Sequence, residues 1–405
     1  MKPEEEEALR PRKANIYSLG LVSLFTDAST EMVYPLLPDL VRHLVRVVGS
    51  EALALGAVEG VAEATASVMK AVSGYFSDRW RRRKLPVFLG YLISGMAKPL
   101  LALAGSWPVL LLIRFWDRMG KGIRTSPRDA LLADSAPPEA LGTSFGLHRA
   151  MDTMGAVLGP LIAFLLLYAL EIKFTYIFFV AAAPAGLALL VIILAVREVP
   201  PRRKKEKRFR LSWSGLSPAF QRFVVVSGVF SLGHFPAAFL VLRCRELGVS
   251  MEMVTLVYLL YNLVYSLAAL PAGRISDKVG RRKTLIFAYF LFAAVFAGGA
   301  FAQEWWHGVL VFMGYGIFQG IYEGGHRAFC ADLEPSERRA SSYGVLHAVI
   351  GGATLPAGLI AGALWTWAGA AAAFVFASLL ALCAGVIFIL LIPRNLGNVP
   401  GSSSS

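Results

Sequence analysis

The chain has 405 residues, 56% of them hydrophobic and only 17% charged, against about 25% charged in an ordinary soluble domain. The net charge of +13 would suit a nucleic-acid binder, but Lys and Arg fall mainly in short segments between long apolar runs. That distribution excludes nucleic acid as a partner and is the charge signature of a membrane protein.

A membrane span needs roughly 20 mostly apolar residues. Taken along the chain, such segments fall near 16–38, 53–75, 86–104, 108–133, 142–169, 174–196, 219–243, 252–274, 284–303, 306–331, 341–367 and 370–392. The fourth is the least apolar and is assigned partly from its place in a repeat. The spacing predicts an all-α integral membrane protein of 12 transmembrane helices in two pseudo-symmetric six-helix bundles. The bundles occupy 16–196 and 219–392, joined by a cytoplasmic linker at 197–218. Residues 1–15 and 393–405 read as cytoplasmic tails, the first acidic and then basic rather than a cleavable signal. The basic segments at 78–84, 197–210 and 277–283 all fall on one side, which is therefore cytoplasmic and carries both termini. Cys244, Cys330 and Cys383 are far apart and form no disulfide framework.

An internal repeat supports the division. Gly74, Ser77 and Asp78 match Gly273, Ser276 and Asp277, 199 residues on. Asp134, Pro137, Ser144 and Gly146 match Asp332, Pro335, Ser342 and Gly344, 198 residues on. Paired repeats of this kind build transporters that rock around a central site.

The segment GYFSDRWRRRKL and its second copy GRISDKVGRRKTL resemble the loop signature of the major facilitator superfamily. The first copy departs from it by placing Arg81 where the signature has glycine. Gly146, Gly155, Gly159 and Pro160 are similar to that family's fifth-helix antiporter motif, with Ala163 in place of its last glycine. The resemblance implies the major facilitator fold, a monomer, a prokaryotic plasma (inner) membrane, and no cofactor. It implies a cytoplasmic gate formed by Gly74, Asp78, Arg79, Arg82 and Asp134, repeated as Gly273, Asp277, Arg281 and Asp332. The loop glycines would let neighbouring helices approach closely.

Ionisable residues inside spans are costly and point to function. Asp27 and Glu31 share one helical face, as do Glu59 and Glu63. Arg114, Arg118, Lys121, Arg124 and Arg128 form a stripe on the fourth span, and His148, Arg149 and Asp152 sit on the fifth. The second half offers fewer: His234, Glu323, His326 and His347, with Asn262 and Gln319. The candidate substrate and proton cavity is Asp27, Glu31, Glu59, Glu63, Arg114, Arg118, Lys121, Asp152, His234, Glu323 and His347. Lys70, Arg124, Arg128 and Arg149 lie nearer the cytoplasmic end, where ion pairing within the bundle is the plainer role. Tyr258, Tyr261 and Tyr265 pack or line the cavity.

The expected function is secondary active transport of a small solute by alternating access, with proton-coupled efflux, an antiport, as the leading form. An organic-anion or organophosphate exchanger using the Arg/Lys stripe is an alternative, since Arg grips phosphate in bidentate fashion. Divalent-metal efflux through Asp27, Glu31 and His234 is another, and a transporter-like sensor a third. No HExxH or GxSxG motif suggests an enzyme.

Overall fold

The computed structural model describes residues 3–45, 50–80, 82–137, 140–199, 215–334 and 339–393. Most of the linker, and the tail beyond 393, therefore lie outside the described residues. Among the described residues every regular element is helical. They are α1 (Pro3–Val33), α2 (Leu37–Leu44), α3 (Glu51–Trp80), α4 (Lys84–Ala102), α5 (Trp107–Ser135), α6 (Leu141–Tyr168), α7 (Phe174–Val180) and α8 (Ala182–Leu194). There follow α9 (Pro218–Gly233), α10 (Ala238–Glu246), α11 (Met251–Val279), α12 (Arg281–Ala300), α13 (Trp305–Leu333), α14 (Arg339–Ala368) and α15 (Ala370–Leu391).

With α1/α2, α7/α8 and α9/α10 each counted as one interrupted span, the described residues make twelve spans. Nine of them are long and apolar enough to span a membrane by composition alone. The other three are α1, α5 and α13. The fourth predicted span is thus a continuous helix despite its charges, because those charges turn inward, as shown below. α5 and α13 have 29 residues each, about 44 Å of helix, and outrun a hydrocarbon layer of roughly 30 Å.

The chain packs into two compact units. The first holds α1, α2, α3 from Val61 onward, α4 to α8, and the opening turns of α11, Met251–Leu259. The second holds α3 through Gly60, then α9, α10, α11 from Leu260 and α12 to α15. Both units therefore draw on both sequence repeats.

Small residues set the packing within each unit. In the first, a Cβ on Gly90 would lie 2.6 Å from the Gly120 carbonyl, and one on Gly120 would lie 2.8 Å from Ser94 N. α4 and α5 therefore touch through backbone. In the second, the start of α3 meets α14 in the same way: a Cβ on Gly358 would lie 2.6 Å from Gly56 O. Such close approach is how membrane helices gain dispersion without a hydrophobic drive.

Helix ends are tied by side chains. The Glu198 carboxylate accepts from the backbone N–H of Arg83 at 2.8 Å and of Lys84 at 2.9 Å, satisfying orphan donors at the start of α4. Ser217 caps α9, its hydroxyl accepting from Phe220 N at 3.2 Å. Between α11 and α12, Gly280 takes φ +101°, a conformation that L side chains resist. This is the glycine of the second loop signature. Its counterpart in the first copy, Arg81, lies outside the described residues.

Candidate functional site

The charged interior of the first unit is built on α5. Its stripe points inward: Arg114, Arg118 and Arg124 are buried, while Lys121 and Arg128 are half-buried. Uncompensated cations at such depth would be very costly. The compensation comes chiefly from Asp117. Its carboxylate meets Arg114 at 2.9 Å, Lys98 of α4 at 3.2 Å and Arg118 at 3.8 Å. Arg118 also reaches Glu63 of α3 at 3.4 Å. Arg124 lies over the Tyr91 ring, 4.4 Å from its centroid, a cation–π contact. Arg128 pairs with Asp129 at 2.9 Å.

Lys98, Asp117, Tyr91 and Asp129 are participants that sequence reasoning missed. A single Lys in an apolar span carries no periodic signal. Asp117 could have been found, since it stands three residues from Arg114 and so on the same helical face.

The acids of α1 and α6 form a second group. α6 lies against α1 with no room to spare. A Cβ on Gly155 would collide with the Leu24 carbonyl, and one on Gly159 would lie 2.5 Å from the Ala28 carbonyl. Residue numbers rise together along this contact, so the two helices run parallel. Asp152 lies against α1 one turn before Asp27, which stands four residues beyond Ser23. Asp152 accepts from Ser23 Oγ at 2.6 Å and from Arg149 at 3.0 Å. Glu31, one turn above Asp27, accepts from Tyr258 OH at 2.7 Å. Tyr258 stands in the opening turns of α11, which belong to this unit. Lys121 is within electrostatic reach of Glu63 and Asp27.

The family-like motifs are realised unequally. Gly155 and Gly159 make the α1 contact, whereas a Cβ on Gly146 would meet open space. Pro160 lies inside α6 without ending it. Gly74 faces Ser126 of α5, and a Cβ there would approach Ser126 Cβ at 3.3 Å. Its partner Gly273, expected to admit a neighbouring helix, faces open space instead. Arg82 is exposed, and Arg83 is the residue that meets Asp134, at 2.8 Å. In the second unit Arg281, which corresponds to Arg82, bonds Asp332, while Arg282 donates to the carbonyls of Ile389 and Ile392. Asp277 is mostly exposed, 3.7 Å from Arg281. The side chains of Asp78 and Arg79 lie outside the described residues.

The second unit is aromatic where the first is charged. Phe230 has the rings of Tyr289, Phe292 and Tyr322 at 5.0, 5.1 and 5.0 Å, and Phe292 stacks on Phe296 at 3.9 Å. His234 stands at the break between α9 and α10, where Pro236 supplies no backbone donor. Its Nε2 is 3.0 Å from Tyr315 OH. His326 Nε2 is 2.9 Å from Ser227 Oγ. Glu323 is shared between Tyr265 OH and Arg327. His347 is exposed and stacks on Tyr343. Glu59 is buried in this unit. Among the described residues no group of three or more His, Cys, Asp or Glu is placed to hold a metal ion.

Comparison with known proteins follows the same lines. The sequence pattern of the Major Facilitator Superfamily matches residues 19–244 and again 223–404. An uncharacterised transporter of that type from Methanocaldococcus jannaschii is 36% identical over 386 residues, covering 94% of this chain and 95% of the relative. A multidrug resistance protein of Escherichia fergusonii is 26% identical over 326 residues, covering 77% and 78%. Among solved structures, a bacterial homologue of the human lysosomal transporter Spinster, inward-facing and occupied, superposes with a TM-score of 0.73. It shares 16% identity over 96% of this chain and 97% of that one. At that identity it speaks for the fold alone.

Proposed function

The chain belongs to the major facilitator superfamily, an integral membrane transporter of a small molecule, and from that premise we propose that it exports a small organic cation in exchange for protons. The observation that carries this reading is the unequal burial of the two charge signs in the first unit. Lys98, Arg114, Arg118 and Arg124 are all buried and matched by Asp117, Glu63 or a ring. Asp27, Glu31, Glu63 and Asp152 each remain partly exposed. What is left partly open to a ligand or to water holds these four acids, with Lys70, Lys121, Arg128 and Arg149 as its cations. Acids in a low-dielectric setting respond to protons and to cationic ligands alike. The likeness to a multidrug resistance protein points the same way.

The organophosphate reading loses its main support, because the arginines that would grip a phosphate are already engaged. Metal efflux finds no converging ligand set among the described residues. In this reading the protein works as a monomer in a prokaryotic plasma membrane, with both termini cytoplasmic.

The test uses purified protein in liposomes with an imposed pH gradient and tetraphenylphosphonium as the probe. Gradient-driven accumulation that collapses with a protonophore is expected. Accumulation indifferent to the gradient would remove proton coupling. Transport of sugar phosphates instead would restore the exchanger.

A further inference from the structure

At an offset of 198 residues, Glu323 and Arg327 of α13 correspond to Thr125 and Asp129 of α5. The pair is therefore no part of the scaffold that the two repeats share. A charged pair within a span is costly unless it faces protein or water. On α13 the lipid side is marked by the exposed Leu310 and Ile317, and Glu323 lies about 120° round the helix from Ile317. Its side chain is 31% exposed and that of Arg327 58%. The two stand on a polar, half-open face of the second unit.

The two oxygens of Glu323 have different partners. Oε2 accepts from the hydroxyl of Tyr265 on α11. Oε1 accepts from Arg327, one turn along α13, at 2.5 Å. The first partner is fixed. A Cβ on Gly320 would lie 2.9 Å from the Tyr265 carbonyl, and one on Gly316 3.1 Å from the Tyr261 carbonyl, so α11 and α13 touch through backbone. The second partner is loose, because an exposed i,i+4 pair contributes little and Arg327 can swing into solvent without leaving a buried charge alone. Glu323 is thus an anchored carboxylate whose outer oxygen holds an exchangeable cation.

Its surroundings suit an incoming cation. Gln319, one turn earlier on the same face, has a side-chain oxygen that accepts no hydrogen bond among the described residues. Tyr343 of α14 donates to the Arg327 carbonyl at 2.9 Å and stacks on the exposed His347, their ring centroids 6.4 Å apart. Aromatic faces near a carboxylate favour an organic cation. The group now on Oε1 is a guanidinium, whose planar fork of N–H donors matches a carboxylate. A ligand that replaces it has to offer N–H donors too.

We propose that Glu323 is a recognition residue for the amidinium, guanidinium or protonated-amine head of a cationic substrate, and that Arg327 is a tethered competitor that holds the carboxylate until such a ligand displaces it. The link to transport rests on the cation-export reading above; the binding site does not. The exchange swaps one cation for another, so Glu323 stays ionised throughout.

Isothermal titration calorimetry of the purified protein in detergent, with benzamidine as the probe, tests the site without a gradient. Wild type should bind it saturably. Glu323→Gln should weaken binding about tenfold, the loss of a charge-assisted hydrogen bond. Arg327→Ala should tighten it about threefold, the release of an exposed ion pair, and misfolding cannot imitate tighter binding. Glu304→Gln makes the same charge change at an exposed helix end of the second unit and should leave affinity unchanged. Wild type that binds no benzamidine would overturn the proposal. So would wild-type affinity in Glu323→Gln, an equal loss in Glu304→Gln, or unchanged or weaker binding in Arg327→Ala. In liposomes, a pH gradient should drive benzamidine accumulation beyond that of protein-free vesicles. Binding that follows the expected pattern without such accumulation would sink the export reading and leave the site standing. Gradient-driven tetraphenylphosphonium accumulation with no benzamidine binding would do the reverse.

Discussion

α5 and α13 are the same helix in the two repeats, each of 29 residues, and their interiors are opposites. At positions 198 apart, Arg114, Asp117, Arg118, Lys121 and Arg124 in one correspond to Phe312, Tyr315, Gly316, Gln319 and Tyr322 in the other. One helix keeps its neighbours by ion pairs, the other by rings. Both solutions fill a helix interface, but they differ in how they fail. A buried ion pair stripped of one partner leaves a charge with nowhere to go. A ring cluster stripped of one polar contact still has its dispersion.

The largest expected effect tests that asymmetry directly. Asp117→Ala should cost about 3–5 kcal/mol, since Lys98 and Arg114 lose their shared anion. Thermal unfolding in detergent would read it, and a loss under 1 kcal/mol would mean that water or lipid headgroups reach the site. Next, Gly155→Val should separate α6 from α1 at a cost of about 1–3 kcal/mol. Gly146→Val, into open space, should be silent by the same assay. Gly280→Ala comes third, at about 1–2 kcal/mol for holding an alanine at φ +101°. If it matches wild type, the turn relaxes to another conformation.

The residues of the loop signature sharpen the comparison further. Arg83→Ala should destabilise more than Arg82→Ala, because Arg83 and Asp134 are only 10% and 11% exposed. In the second unit Arg281→Ala should cost under about 1 kcal/mol, its pair with Asp332 being roughly a third exposed. The smallest effect is Tyr315→Phe, which removes one bond to His234, worth about 0.6 kcal/mol within a membrane. A cost near that of Asp117→Ala would erase the distinction between the two interiors.

Much of this was legible in the chain itself. The apolar segments, the repeat offsets and the inward turn of the α5 stripe follow from one-dimensional periodicities, and a membrane enforces them strictly because every backbone group must be satisfied within the span. Asp27, Glu31, Glu63, Arg114 and Arg118 were recognisable as costly residues for the same reason. The partner of each was not. Lys98 sits alone in its span, Ser23 is one of many serines, and Tyr258 comes from 227 residues away to bond Glu31. Nor did the motif reveal that Arg83 rather than Arg82 would reach Asp134. These pairings depend on how closely two helices approach and on which faces they turn to each other. Hydropathy and spacing determine that a helix exists and which side is polar. Only tertiary packing decides which charge each polar side meets, because that depends on contacts between residues that the chain order keeps far apart.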